Sequence, residues 1–69
     1  MYWLIIYEYT SYCCTPSINN TIYQGDNAID WFISAKAKAD EDDRIVLINA
    51  IGIEEYQFLR LIDEGYKPT

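Results

Sequence analysis

The stretch from Tyr2 to Tyr12 reads Tyr-Trp-Leu-Ile-Ile-Tyr-Glu-Tyr-Thr-Ser-Tyr, and neither Gly nor Pro interrupts it. Aromatic and β-branched side chains suit a pleated sheet and crowd a helix, so the stretch reads as a β-strand. Successive side chains on a strand point to opposite faces. Trp3, Ile5, Tyr7 and Tyr9 therefore share one side, and Tyr2, Leu4, Ile6 and Glu8 the other. Both faces are apolar, which places the strand at the centre of its sheet with other elements laid over it. That requirement orders the rest of the chain.

Cys13 to Asn20 follow, and the turn-forming pairs Pro16-Ser17 and Asn19-Asn20 fold the chain back into a hairpin. The return strand is expected over about Asn20 to Gln24, with Ile22 and Tyr23 as its apolar content. Gly25 breaks it, and Asp26-Asn27 opens a helix. With Asn27 as the cap, Asp30 falls at the third helical position and completes a capping box. The helix body runs from Ala28 to about Ala39. Ala28, Trp31, Phe32, Ala35 and Ala39 recur at helical spacing, and Ile29 and Ile33 widen the stripe. Lys36 and Lys38 suit the negative end of the helix dipole. This amphipathic helix covers one face of the sheet.

Asp40-Glu41-Asp42-Asp43 form a solvated acidic turn, and Arg44 opens a second apolar strand, Ile45-Val46-Leu47-Ile48, running toward Ala50 or Ile51. The helix has returned the chain to its starting end, so this strand lies antiparallel to the first, and the sheet order is 2-1-3. Gly52-Ile53-Glu54-Glu55 starts a second helix, where acids suit the positive end. Its overlapping apolar stripes are Tyr56, Leu59, Ile62 and Phe58, Leu61, Ile62. Gly65 ends it in the left-handed conformation that favours glycine. The expected fold is α+β: one small acidic β-β-α-β-α domain over residues 1–69, with a three-stranded antiparallel sheet packed with two helices and covered mainly on one face.

Eleven carboxylates against five basic residues give a formal charge of −6. Up to Gly25 the one charged side chain is Glu8, so the sheet-forming half has no Lys or Arg with which to neutralise phosphates. Direct binding to nucleic acid or to an anionic membrane is disfavoured on the same ground. The apolar run Trp3 to Tyr7 is far shorter than the roughly 20 residues a membrane helix needs. Cys13 and Cys14 are adjacent, which fits neither a spaced disulfide framework nor a metal quartet. With no cationic leader, the expectation is a cytoplasmic protein with reduced thiols.

Catalytic machinery is hard to assemble from this inventory. There is no histidine, which removes the commonest general base and metal ligand. No phosphate-cradling loop or nucleophile elbow is present. The run Asp40 to Asp43 lacks the alternating ligands and central glycine of a calcium loop. No catalytic residue, metal or cofactor is therefore expected.

A protein-binding role is what remains. The chain is 51% apolar and 16% aromatic, yet a domain of this size buries only about 60% of its unfolded surface. The seven tyrosines, Tyr2, Tyr7, Tyr9, Tyr12, Tyr23, Tyr56 and Tyr66, exceed what so small a core can hold, and tyrosine is enriched at interfaces. Two forms of binding follow. In the first, Asp40, Glu41, Asp42, Asp43, Glu54, Glu55, Asp63 and Glu64, with Tyr56 and Tyr66 beside them, imitate a phosphate backbone. They would then occupy the basic surface of a nucleic-acid-processing host or defence protein. In size and acidity the chain resembles the DNA-mimicking inhibitors encoded by phages, a likeness of general character. In the second, the apolar, tyrosine-rich surface joins two copies into a homodimer.

Overall fold

A computed structural model describes residues 1–11 and 15–68. Tyr12 and the adjacent Cys13 and Cys14 lie outside the described residues. The elements are β1 (Tyr2–Thr10), β2 (Ser17–Gln24), α1 (Ala28–Lys38), β3 (Arg44–Ile53) and α2 (Glu55–Asp63). Both pairings are antiparallel and the sheet order is β2-β1-β3, so the most apolar strand is central.

Two strands run longer than the local sequence signals suggest. β2 starts at Ser17, with Asn19 opposite Tyr7 and Asn20 opposite Ile6. The asparagines are poor strand formers, but the ladder to β1 supplies backbone partners for Asn19 and holds the strand in register, so tertiary pairing overrides propensity. β3 continues to Ile53 for the same reason: Tyr2 pairs with Ile53 and Trp3 with Gly52. The β1–β3 register shifts between Ile6 and Tyr7, which pair with Asn49 and Leu47 and leave Ile48 as a bulge.

The helices lie on opposite faces, which corrects the expectation of a sheet covered mainly on one side. Ile5, Ala28 and Trp31 form the buried cluster under α1, with Trp3, Tyr7, Tyr23, Phe32, Ala35, Leu47 and Ala50 packed around it. The Tyr7 and Trp31 rings meet at 5.0 Å. On the other face Phe58 of α2 is buried and its ring lies 4.7 Å from that of Tyr2. The physical cause is the double-sided apolarity of β1. One helix leaves half of that strand wet, and burial of about 25 cal/mol per Å² of apolar surface draws the second helix to the vacant side.

Helix ends follow the sequence closely. Asn27 caps α1, its Oδ1 accepting from the Ile29 amide at 2.9 Å. Asp30 does not complete the capping box expected there; the reciprocal arrangement stands instead at α2, where the Glu54 amide donates to Gln57 Oε1 at 2.9 Å. α2 closes with Gly65 at φ 106°, the Gly65 amide bonding the Ile62 carbonyl and the Tyr66 amide the Leu61 carbonyl. That pair of bonds is a Schellman ending, which needs a residue free to adopt positive φ.

Candidate protein-binding surface

The carboxylates singled out in the sequence are not one patch. Asp40, Glu41 and Asp42 are exposed on the turn that leads into β3, closed by a bond from the Asp43 amide to the Asp40 carbonyl at 3.0 Å. Glu54, Glu55, Asp63 and Glu64 are exposed at the two ends of α2. β3 separates Asp43 from Glu54, a span of roughly 30 Å at the usual rise per strand residue. Asp43 is half-buried and turned inward, where its Oδ2 accepts a 2.6 Å hydrogen bond from the Tyr9 hydroxyl. The exposed turn also borders two cations. Lys36 and Arg44 line the same open cleft of about 460 Å³ as Asp40, Glu41 and Asp43, with Phe32 and Val46 among its apolar walls. Lys36 Nζ stands 5.3 Å from the Phe32 ring centre. Both signs of charge meet there, so this end does not present a uniform negative field.

Most described tyrosines are engaged within the fold. Tyr2 packs on Phe58, Tyr7 on Trp31, and Tyr9 holds Asp43. Tyr23 and Tyr66 are half-buried, and Tyr56, at 69% exposure, is the one fully exposed tyrosine among the described residues. Among the described tyrosines, Tyr56 alone is therefore widely open to a partner. Half-burial suits tyrosine because the ring packs while the hydroxyl reaches water or a partner.

The exposed apolar surface is mainly isoleucine. Ile18, Ile29, Ile33, Ile48, Ile51 and Leu59 are each between 41% and 64% exposed. Against this, the described side chains that are buried number five: Ile5, Ile22, Ala28, Trp31 and Phe58. The accessible area is 5023 Å², whereas a compact monomer of 8.1 kDa exposes about 4,500 Å². The sequence signal for these positions was present but ambiguous, since Ile29 and Ile33 widen a helical stripe and Ile48 and Ile51 belong to a strand that reads as covered.

The two edges of the sheet differ. The outer side of β2 meets the C-terminal segment, with Ile22 bridged in parallel to Pro68. Among the described residues no strand lies beside the outer side of β3. Backbone direction along that edge follows from the ladder. The Gly25 amide donates to the Met1 carbonyl at 2.9 Å, so odd-numbered β1 residues bond toward β2 and even-numbered ones toward β3. The β3 residues opposite odd β1 positions, Ile45, Leu47, Ala50 and Gly52, consequently point their amides and carbonyls at the open side. Ala50 illustrates it, its amide caught by Asn49 Oδ1 at 2.9 Å in place of a strand neighbour. From Ile45 to Ile53 this edge carries no charged side chain and no proline, so of the usual guards of a solvent-exposed edge it has the bulge at Ile48 alone.

Among the described residues no helix is long and apolar enough to cross a membrane. Comparison with protein-family models, with curated proteins and with solved structures gave no match, so the fold and this surface carry the functional argument on their own.

Proposed function

We propose that the chain is a non-catalytic protein-binding module of the cytoplasm that engages its partner through exposed apolar surface, with the open edge of β3 at its centre. The observation that supports this reading is the edge itself: an uncharged strand with outward-directed amides, flanked by Ile48 at 50% exposure and Ile51 at 41%. Such an edge binds an extended segment through main-chain hydrogen bonds, while neighbouring side chains select it. The carboxylates then keep the apolar surface soluble and set a like-charge barrier against acidic competitors.

Affinity capture from lysate of the source organism tests it, comparing the wild-type chain with Ile48→Lys and with an Asp40→Asn, Glu41→Gln, Asp42→Asn variant at low and high salt. The expected result is binding, to a second copy or to another protein, that survives high salt and the carboxylate substitutions and is lost with Ile48→Lys. Binding abolished by salt and by the carboxylate substitutions, and unaffected by Ile48→Lys, would overturn the reading in favour of phosphate imitation.

A further inference from the structure

We infer that the occupant of the β3 edge is the β3 edge of a second copy, joined antiparallel about a two-fold axis into one continuous six-stranded sheet. The inference rests on the proposed function, in which this edge is the binding surface, and adds the identity of the partner. It comes from the self-complementarity of the edge. A two-fold contact brings the same surface to itself, so every feature on one half of the strand must be answered by the other half.

Three features are answered. The first is the backbone. The outward-directed residues stand at Ile45, Leu47, Ala50 and Gly52, with the bulge residue Ile48 between the two pairs. An axis passing between Ile48 and Asn49 sets Ile45 opposite Gly52 and Leu47 opposite Ala50, so outward groups meet outward groups; each such pair exchanges two hydrogen bonds once the Ala50 amide gives up Asn49 Oδ1 for the partner copy's Leu47 carbonyl. The bulge shifts side-chain alternation along β3, yet in this register paired residues still share a face. Leu47 and Ala50 both lie on the α1 side, where they pack around the buried cluster.

The second feature is volume. The large residues Ile45 and Leu47 meet the small residues Gly52 and Ala50 of the other copy, which keeps the join uncrowded on that face. The third is charge. Ile45 to Ile53 is neutral, which holds the carboxylates of both copies away from the axis. Each Arg44 falls beside the partner copy's Glu54 end. Just beyond the strand ends Asp43 faces Glu54 and Asp42 faces Glu55, like-charge meetings that solvent screens.

A contact built on one edge strand is small beside the roughly 1,600 Å² of a standard interface. The contact is accordingly modest in strength and concentration-dependent.

Sedimentation equilibrium of the full chain from ~1 to ~200 μM, with amide hydrogen exchange at both ends of that range, tests the inference. The expected result is a mass rising from 8.1 kDa toward twice that value, with the Ile45, Leu47 and Gly52 amides slowing at high concentration. Added salt strengthens association, because each copy carries a charge of −6. Ile48→Lys places like charges beside the axis and holds the protein monomeric, while Leu59→Lys, on the outer side of α2, leaves the dimer intact. The exchange readout needs no variant and decides the matter even if Ile48→Lys folds poorly. A monomer throughout, with those three amides exchanging freely, would overturn the pairing and leave the proposed binding to other proteins standing. A dimer dissolved by Leu59→Lys and not by Ile48→Lys would overturn the pairing too, and would move the binding surface to the helices.

Discussion

Replacing Phe58 with alanine separates the two halves of this fold more sharply than any other single change. Phe58 is the one buried residue of α2, 4% exposed, and its ring contacts Tyr2 on the central strand. A nine-residue helix has little stability alone, since isolated helices shorter than about 12–15 residues are marginal in water. α2 therefore exists because Phe58 is docked. Truncating a buried Phe to Ala costs about 3–5 kcal/mol. Relaxation is easy beside so short a helix, so the lower part of that range, about 3 kcal/mol, is expected. The whole chain is worth roughly 3–10 kcal/mol at the usual stability per residue, so the loss is a third or more of the total. Urea unfolding followed by far-ultraviolet circular dichroism measures it, and amide exchange locates it. The α2 amides lose protection before those of β1 in Phe58→Ala, while Leu59→Ala, at a 53% exposed position, shifts stability by less than about 0.5 kcal/mol. A Phe58→Ala protein within about 1 kcal/mol of wild type, with α2 still protected, would refute the claim that this ring anchors the second layer.

Three further predictions follow the same logic. Tyr9→Phe removes the donor to Asp43 and costs about 1–2 kcal/mol, and a double-mutant cycle with Asp43→Ala reports a coupling near 1 kcal/mol; additive effects would show that the bond contributes nothing. Gly65→Ala costs about 1 kcal/mol from positive φ alone, because an added Cβ meets no atom within 4 Å; a neutral result in urea unfolding would mean that the α2 ending rearranges freely. Neutralising Asp40, Glu41 and Asp42 together leaves stability within about 0.5 kcal/mol, whereas including Asp43 lowers it further, and salt-sensitive loss of partner binding in the triple variant would revive the phosphate-imitating reading.

The sheet order was legible because β1 is apolar on both sides and contains no breaker, a pattern compatible only with a central strand. Asn27 and Gly65 marked helix boundaries through backbone chemistry that acts within a few residues, so those positions could be read locally. The placement of α2 could not. Overlapping stripes through Phe58 and through Leu59 gave the helix two candidate inner faces, and the choice is made by Tyr2, more than fifty residues away in sequence. Ile48 was hidden for a similar reason. A bulge is a property of two paired strands, and the run Ile45-Val46-Leu47-Ile48 looks unbroken on its own. Of the candidate site, the carboxylates were visible as charge, but their division between the two ends of β3 and the inward turn of Asp43 come from topology. The number of tyrosines suggested surface, while the described ones other than Tyr56 are half-buried packing.

The pairing of Tyr2 with Ile53 has a consequence for how the chain acquires its structure. The central strand precedes both of its neighbours in chain order, and β3 follows only after β2 and α1. Closing so long a loop is entropically costly before any contact rewards it, and topologies rich in such distant pairings fold slowly. Until β3 arrives, the β1–β2 hairpin offers the most apolar strand of the protein as a bare margin. A chain cut short ahead of Arg44 would keep that margin permanently, so truncation products are expected to aggregate where the intact chain stays in solution.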